Sequence, residues 1–126
     1  MRRLLLDSHV LLWALSDVSS LREGSRSLIA DSNNYVVVSA VSVWELRVKS
    51  ALGKLSVPDT LEVATRRSGF VELPVTFDHA KRATALPAIH SDPFDRMLVA
   101  QAQIERLELV TRDRRLREYG VRLIAA

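Results

Sequence analysis

The sequence predicts an α/β domain with a mostly parallel central sheet covered by helices on both faces. Short apolar runs of strand length recur along the chain, and segments with helical periodicity separate them. Leu4-Leu5-Leu6 and Val36-Val37-Val38 are continuously apolar, as strands buried on both faces require. The prolines and glycines, four of each, sit singly between the periodic segments, so no repeat, linker or low-complexity tract divides the chain. A single domain over residues 1–126 is expected. A chain of this length buries roughly two-thirds of its unfolded surface and needs no staple.

The elements follow in order. Arg2 to Leu6 is a short buried strand ending at Asp7. His9 to Leu15 is helical, and Leu21 to Ala30 carries helix-spaced Leu21, Leu28 and Ile29. Tyr35 to Ser39 is a β-branched strand, bounded on its amino side by Asn33-Asn34. From Val41 to Leu52 the helical period returns through Val41, Trp44, Val48 and Leu52. Pro58 opens a further helix closed by Gly69. Phe70 to Val75 is a short strand and Asp78 to Leu86 a helix. Asp92-Pro93 is a strong helix start, with Asp as N-cap and Pro at the first helical position, and this helix runs to about Arg106. Leu109 to Thr111 is a strand, Arg114 to Tyr119 a helical turn stopped by Gly120, and Val121 to Ile124 a last strand.

Composition narrows the chemistry. With 48% hydrophobic and 26% charged residues, the chain is globular rather than disordered. It has no cysteine, which removes disulfides, thiolate nucleophiles and thiolate metal sites together. The three histidines, His9, His79 and His90, show no zinc-ligand spacing, so a metal here is held by oxygen. His9 reads as a helix-surface residue, and His79 and His90 as structural. Met1 to Leu6 mimic the start of a secretion signal, but Asp7 and His9 interrupt the apolar stretch too early. No window approaches the ~18 consecutive apolar residues of a membrane span, and a soluble, cytoplasmic protein is expected. Fifteen of the eighteen basic residues are arginine. Their planar forks suit a polyanionic partner, although a GC-rich genome produces the same skew, and a net charge of +3 is weak evidence by itself.

Four carboxylates should meet. In an open parallel sheet, residues just past the carboxyl ends of the strands share the edge where ligands bind. Asp7 ends the first strand, and Asp113 follows the Leu109–Thr111 strand by two residues. Glu45 lies in the second turn of the helix after Ser39, and Asp95 in the first turn of the helix opened by Pro93. Right-handed crossovers bring all four to one edge. Each acid also has an ordinary reading as a cap, a turn residue or a solvated helix position. Three details weigh against that. Glu45 follows Trp44 in an otherwise apolar helix, Asp95 shares a stripe with Val99 and Ala102, and Asp7 terminates an all-leucine strand. Carboxylates so gathered repel unless a cation balances them, and a hard divalent ion, Mg²⁺ or Mn²⁺, fits oxygen ligands. Such an ion polarises a phosphate and acidifies a bound water. The hydroxyls of Ser39 and Thr111 belong to the same edge and are candidates to orient a carboxylate or a water; satisfying backbone groups is their commoner role.

Four segments in order carry a family resemblance: Asp7-Ser-His-Val-Leu-Leu-Trp13, Ser39-Ala-Val-Ser-Val-Trp-Glu45, His90-Ser-Asp-Pro-Phe-Asp-Arg-Met-Leu-Val-Ala-Gln-Ala102 and Val110-Thr-Arg-Asp113. The chain resembles PIN-domain proteins of the VapC type, the toxin half of type II toxin–antitoxin pairs. The resemblance spans nearly the whole chain, and Asp-Pro-Phe-Asp-Arg-Met is its most specific stretch. It implies a PIN-like three-layer α/β/α fold and a Mg²⁺- or Mn²⁺-dependent endoribonuclease, with a cognate antitoxin and a homodimer as partners. By position, Asp7, Glu45, Asp95 and Asp113 match the family's acidic quartet. Asp7 and Asp95 would then be the principal metal ligands, with Glu45 and Asp113 completing the shell or orienting the attacking water. Asp92 belongs to the same motif but is better explained as an N-cap. Ser8 stands where threonine is commoner and keeps the hydroxyl.

Three other classes compete. An aspartyl-nucleophile phosphatase would want a second aspartate two residues after Asp7, where His9 stands, and a receiver domain would want a late lysine, whereas none follows Lys81. A catalytically silent PIN-like module that binds RNA or protein would gain nothing from four clustered negative charges. A DNA-directed nuclease shares the metal chemistry and differs only in its strand. Among RNAs, unpaired loops are the readier substrates, because A-form major grooves admit side chains poorly.

Overall fold

The computed structural model describes residues 1–126. Five parallel strands form one sheet in the order β3-β2-β1-β4-β5: β1 Arg3–Leu6, β2 Tyr35–Ser39, β3 Val71–Leu73, β4 Glu108–Thr111 and β5 Leu123–Ala125. Six helices flank it: α1 Ser8–Ser16, α2 Glu23–Ala30, α3 Ala40–Ala51, α4 Leu61–Arg67, α5 Phe77–Ala85 and α6 Pro93–Glu105. Two 3₁₀ turns, Val18–Ser20 and Arg114–Tyr119, complete the elements.

β1 lies at the centre of the sheet because its three leucines serve both faces. Leu4 and Leu6 join Val36, Val38 and Val110 in a core packed under Val10, Leu11, Ile29, Leu46 and Leu61 from α1 to α4. Leu5 points the other way and joins Val37 and Leu109 beneath Ala83, Leu98, Val99 and Ala102 from α5 and α6. The register places Leu5 opposite both Val37 and Leu109, so its side chain sits in a fully covered layer. Burying a leucine so completely stabilises by roughly 1.5–3 kcal/mol. The result is the three-layer α/β/α arrangement expected from the sequence.

The chain winds outward from β1 through β2 to β3, then crosses back to β4 and β5 on the other side. Strand order therefore reverses between β1 and β4, and a crevice opens at the carboxyl ends of those two strands. Asp7 and Thr111 stand at its lip.

Several boundaries differ from those the sequence suggests. Helix α4 begins at Leu61 rather than Pro58, and β3 contracts to Val71–Leu73. The last strand is shifted to Leu123–Ala125 because it pairs with Leu109–Thr111 and must keep that register. Helix α3 also turns differently. Its buried stripe is Val41, Ser42, Glu45 and Leu46, while Trp44 and Leu52 face solvent at 60% and 64% exposure. The indole of Trp44 packs instead edge-on against Phe94 of α6, at 5.2 Å between ring centroids. The apolar period thus splits between the faces, Val41 turning inward and Trp44 outward, while the acid beside Trp44 lies on the inner face.

Candidate active site

The crevice at the β1–β4 reversal is a cleft of about 400 Å³ lined by Asp7, Ser8, His9, Trp13, Glu45, Lys49, Asp92, Asp95, Thr111, Arg112 and Asp113. All four acids singled out from the sequence are in it. A larger cleft of about 590 Å³ opens at the opposite edge among Arg2, Arg3, Arg106 and Arg122, but Glu108 is its only acid. Size alone does not mark the site; the carboxylates do.

Asp7 is fixed twice over. Its backbone N–H donates to the Val110 carbonyl at 3.1 Å, and its carboxylate caps α1 by accepting from Val10 N–H at 2.8 Å. Burial pushes its carboxyl above the usual range, against the Thr111 hydroxyl and the Val10 N–H, which favour the ionised form. Glu45 reaches the cleft from α3 as a buried residue. Its two oxygens are held separately, one by the Ser8 hydroxyl at 2.9 Å and the other by the Lys49 ammonium at 2.6 Å. The Glu45–Lys49 pair has the i,i+4 spacing of adjacent helical turns, a local signal that the reading of the sequence did not use.

Asp95 stands in the first turn of α6. Asp92 caps that helix, accepting from Phe94 N–H at 2.8 Å and Asp95 N–H at 3.3 Å, as the Asp-Pro pattern predicts. Burial and the neighbouring carboxylates of Asp92 and Glu45 raise the Asp95 carboxyl to about 7, with His90 opposing them. Asp113 behaves in the opposite way. Arg115 clamps it with two guanidinium bonds at 2.9 and 3.0 Å, and this pairing draws its carboxyl down to about 2.

His90, read from the sequence as structural, lies among the acids of the cleft. The Asp92 N–H donates to its Nδ1 at 3.1 Å. Nε2 lies 3.0 Å from Asp113 Oδ2, 2.9 Å from an Arg115 guanidinium nitrogen and 3.5 Å from Asp95 Oδ2. His90 thus ties the two acids of the β4 side together, and donor atoms of His90, Asp95 and Asp113 lie within 4.8 Å of one another. A histidine in a loop before a capping aspartate carries no periodic signal, so nothing in the sequence showed its direction. Thr111 does reach the site, its hydroxyl accepting from Asp113 N–H at 3.1 Å. Ser39 does not: it is fully buried and caps α3, accepting from Val41 N–H at 3.1 Å.

The family model of the PIN domain matches residues 4–121. The chain belongs to the PIN-domain family. Ribonuclease VapC22 of Mycobacterium tuberculosis is 33% identical over 94% of this chain and 93% of its own length. Among solved structures, VapBC2 of Rickettsia felis bound to a promoter DNA fragment superposes with a TM-score of 0.72 at 14% identity, covering 97% of each chain. A toxin–antitoxin complex from Klebsiella pneumoniae matches 86% of this chain and 85% of its own at a TM-score of 0.56 and 26% identity. The PIN fold accounts for the reversal of strand order that gathers the acids. No helix is long and apolar enough to cross a membrane.

The donor set of this PIN cleft fits a hard divalent cation. Its candidate ligands are carboxylate oxygens together with the imidazole nitrogen of His90, and the neighbouring carboxylates raise the Asp95 carboxyl. Because the fold holds the Asp95 proton more tightly than the unfolded chain does, the metal-free protein should lose stability as pH rises from about 4 to about 7. Asp113, held down by Arg115, contributes with the opposite sign in a lower window, below about 4. Thermal melts in EDTA between pH 4 and 8 check this. A wild-type melting temperature that falls no more steeply than that of Asp95→Asn over this range would refute the assignment.

Proposed function

We propose that this PIN-domain protein is a Mg²⁺- or Mn²⁺-dependent endoribonuclease acting as the toxin of a type II toxin–antitoxin pair. The observation that carries the reading is the convergence of Asp7, Glu45, Asp95 and Asp113 on one cleft at the β1–β4 reversal. The likeness to a named ribonuclease of the VapC series supports RNA as substrate, and the likeness to toxin–antitoxin assemblies supports an antitoxin partner. A homodimer and a cytoplasmic location accompany this reading.

Asp7 and Asp95 would hold the ion, and Glu45 and Asp113 would complete its surroundings or orient the attacking water. When bound, the ion supplies Lewis-acid polarisation of the phosphodiester and makes a water more acidic. The protein's own contribution is preorganisation. Asp7 is locked by the α1 cap, Glu45 by Ser8 and Lys49, and Asp113 by Arg115 and His90. Their oxygens therefore need little rearrangement when the strand arrives.

The test incubates the purified protein with a panel of structured RNAs in Mg²⁺, Mn²⁺ or EDTA, beside Asp7→Asn. Fragments should appear with either metal, vanish in EDTA and be absent with Asp7→Asn, whose circular dichroism should match the wild type. Cleavage by Asp7→Asn at the wild-type rate would overturn the assignment. Tight RNA binding that ignores EDTA and yields no product would identify a silent binding module instead.

A further inference from the structure

We propose that Arg112, held over the ring of Trp13, is the residue that grips the RNA backbone, taking a phosphate beside the one that is cleaved. The inference rests on the ribonuclease reading for the nature of the strand, and it names a contact which the acidic quartet does not provide.

A cleft built from carboxylates repels the polyanion it must receive, so some cation at its wall has to offset that repulsion. Most of the cationic groups near the acids are committed. Lys49 is bound to Glu45 at 2.6 Å, and Arg115 is wrapped around Asp113. Arg112 lines the cleft between Thr111 and Asp113, is exposed, and makes no side-chain hydrogen bond or ion pair. Its Cζ sits 4.0 Å from the centroid of the Trp13 ring. That contact places the guanidinium over the face of the indole and leaves its N–H groups without a protein partner. An arginine held in this way still offers a planar fork to a phosphate, and the cation–π contact holds the fork in place before the ligand arrives. His9 extends the same aromatic wall, its ring centroid 5.8 Å from that of Trp13.

A merely structural cation–π pair would contribute to stability and leave RNA binding untouched, so the deciding measurement is the salt dependence of binding. The probe is a short fluorescein-labelled single-stranded RNA of mixed sequence. Binding is measured in the Asp95→Asn protein without added metal, so that cleavage cannot confuse it. Adding Arg112→Ala should weaken binding about tenfold at low salt and reduce the slope of log affinity against log salt by about 0.7, the signature of one lost single-strand phosphate contact. Arg112→Lys should restore the slope but only part of the affinity, because the charge returns without the fork. Trp13→Ala should weaken binding and leave the slope nearly intact.

An unchanged slope in Arg112→Ala would overturn the proposal, as would the absence of measurable binding in the parent Asp95→Asn protein at low salt. The two readings fail separately. If the wild-type chain cut no RNA yet Arg112→Ala lost the slope, the nuclease reading would fall and the phosphate contact would stand. Normal cleavage with an unchanged slope would mean the reverse.

Discussion

Asp95→Asn is expected to abolish metal-dependent RNA cleavage while making the metal-free protein more stable at pH 8. The two effects share one cause. Asp95 is partly buried beside Asp92 and Glu45, and this crowding is what raises its carboxyl to about 7. At pH 8 the group is ionised in the absence of a balancing ion, so it repels its neighbours. Asparagine keeps the shape and removes the charge. The melting temperature in EDTA should rise by roughly 3–8 °C, equivalent to about 1–2 kcal/mol. Cleavage in Mn²⁺ should fall a hundredfold or more, since even outer-sphere partners of a metal site cost 10–100-fold when lost. A variant that is both inactive and less stable than wild type would mean that Asp95 holds the fold together rather than serving a site.

Arg96→Ala should produce the largest loss of stability of any single surface arginine. Its guanidinium donates to the carbonyls of Ala83, Leu86 and Pro87, each at 2.9 Å, with longer contacts to the His90 carbonyl at 3.3 Å and the Tyr119 hydroxyl at 3.4 Å. One side chain on α6 thereby closes the end of α5 and the loop that carries His90. Alanine would leave several carbonyls without a partner, costing about 3 kcal/mol or roughly 10 °C in melting temperature. Lysine should not rescue it, because a single ammonium cannot span acceptors spread around a planar fork. Urea denaturation measures the loss directly. A change under about 1 kcal/mol would show that water satisfies those carbonyls equally well.

What the sequence made legible follows from what periodicity can encode. The buried leucines of β1 and the Asp-Pro start of α6 announce themselves, because strand burial and helix capping are local properties. The acid quartet was legible from topology, since a parallel sheet sends strand ends to a common edge. Arg96, His90 and Arg115 were not legible. Arg96 and His90 act on groups reached through irregular backbone, carbonyls of residues 83–90 for Arg96 and Asp113 for His90 across a separation of 23 residues, and Arg115 closes on Asp113 two residues away at the turn after β4. Trp44 misled for a related reason. An aromatic residue at helical spacing reads as core, but α3 rests against α1 and α6 through the face that carries Glu45, which Ser8 and Lys49 make habitable for a charge.

The position of β1 also bears on when the cleft can form. The central strand β1 and its partner β4 lie about a hundred residues apart in the chain; Arg2 and Glu108, which join them by a bidentate pair, are 106 positions apart. Asp7 and Asp113 are separated by more than a hundred residues, so the cleft that unites them cannot close until the segments that carry both have folded together. A chain cut short before β4 has no such cleft, whatever helices and strands it has already formed.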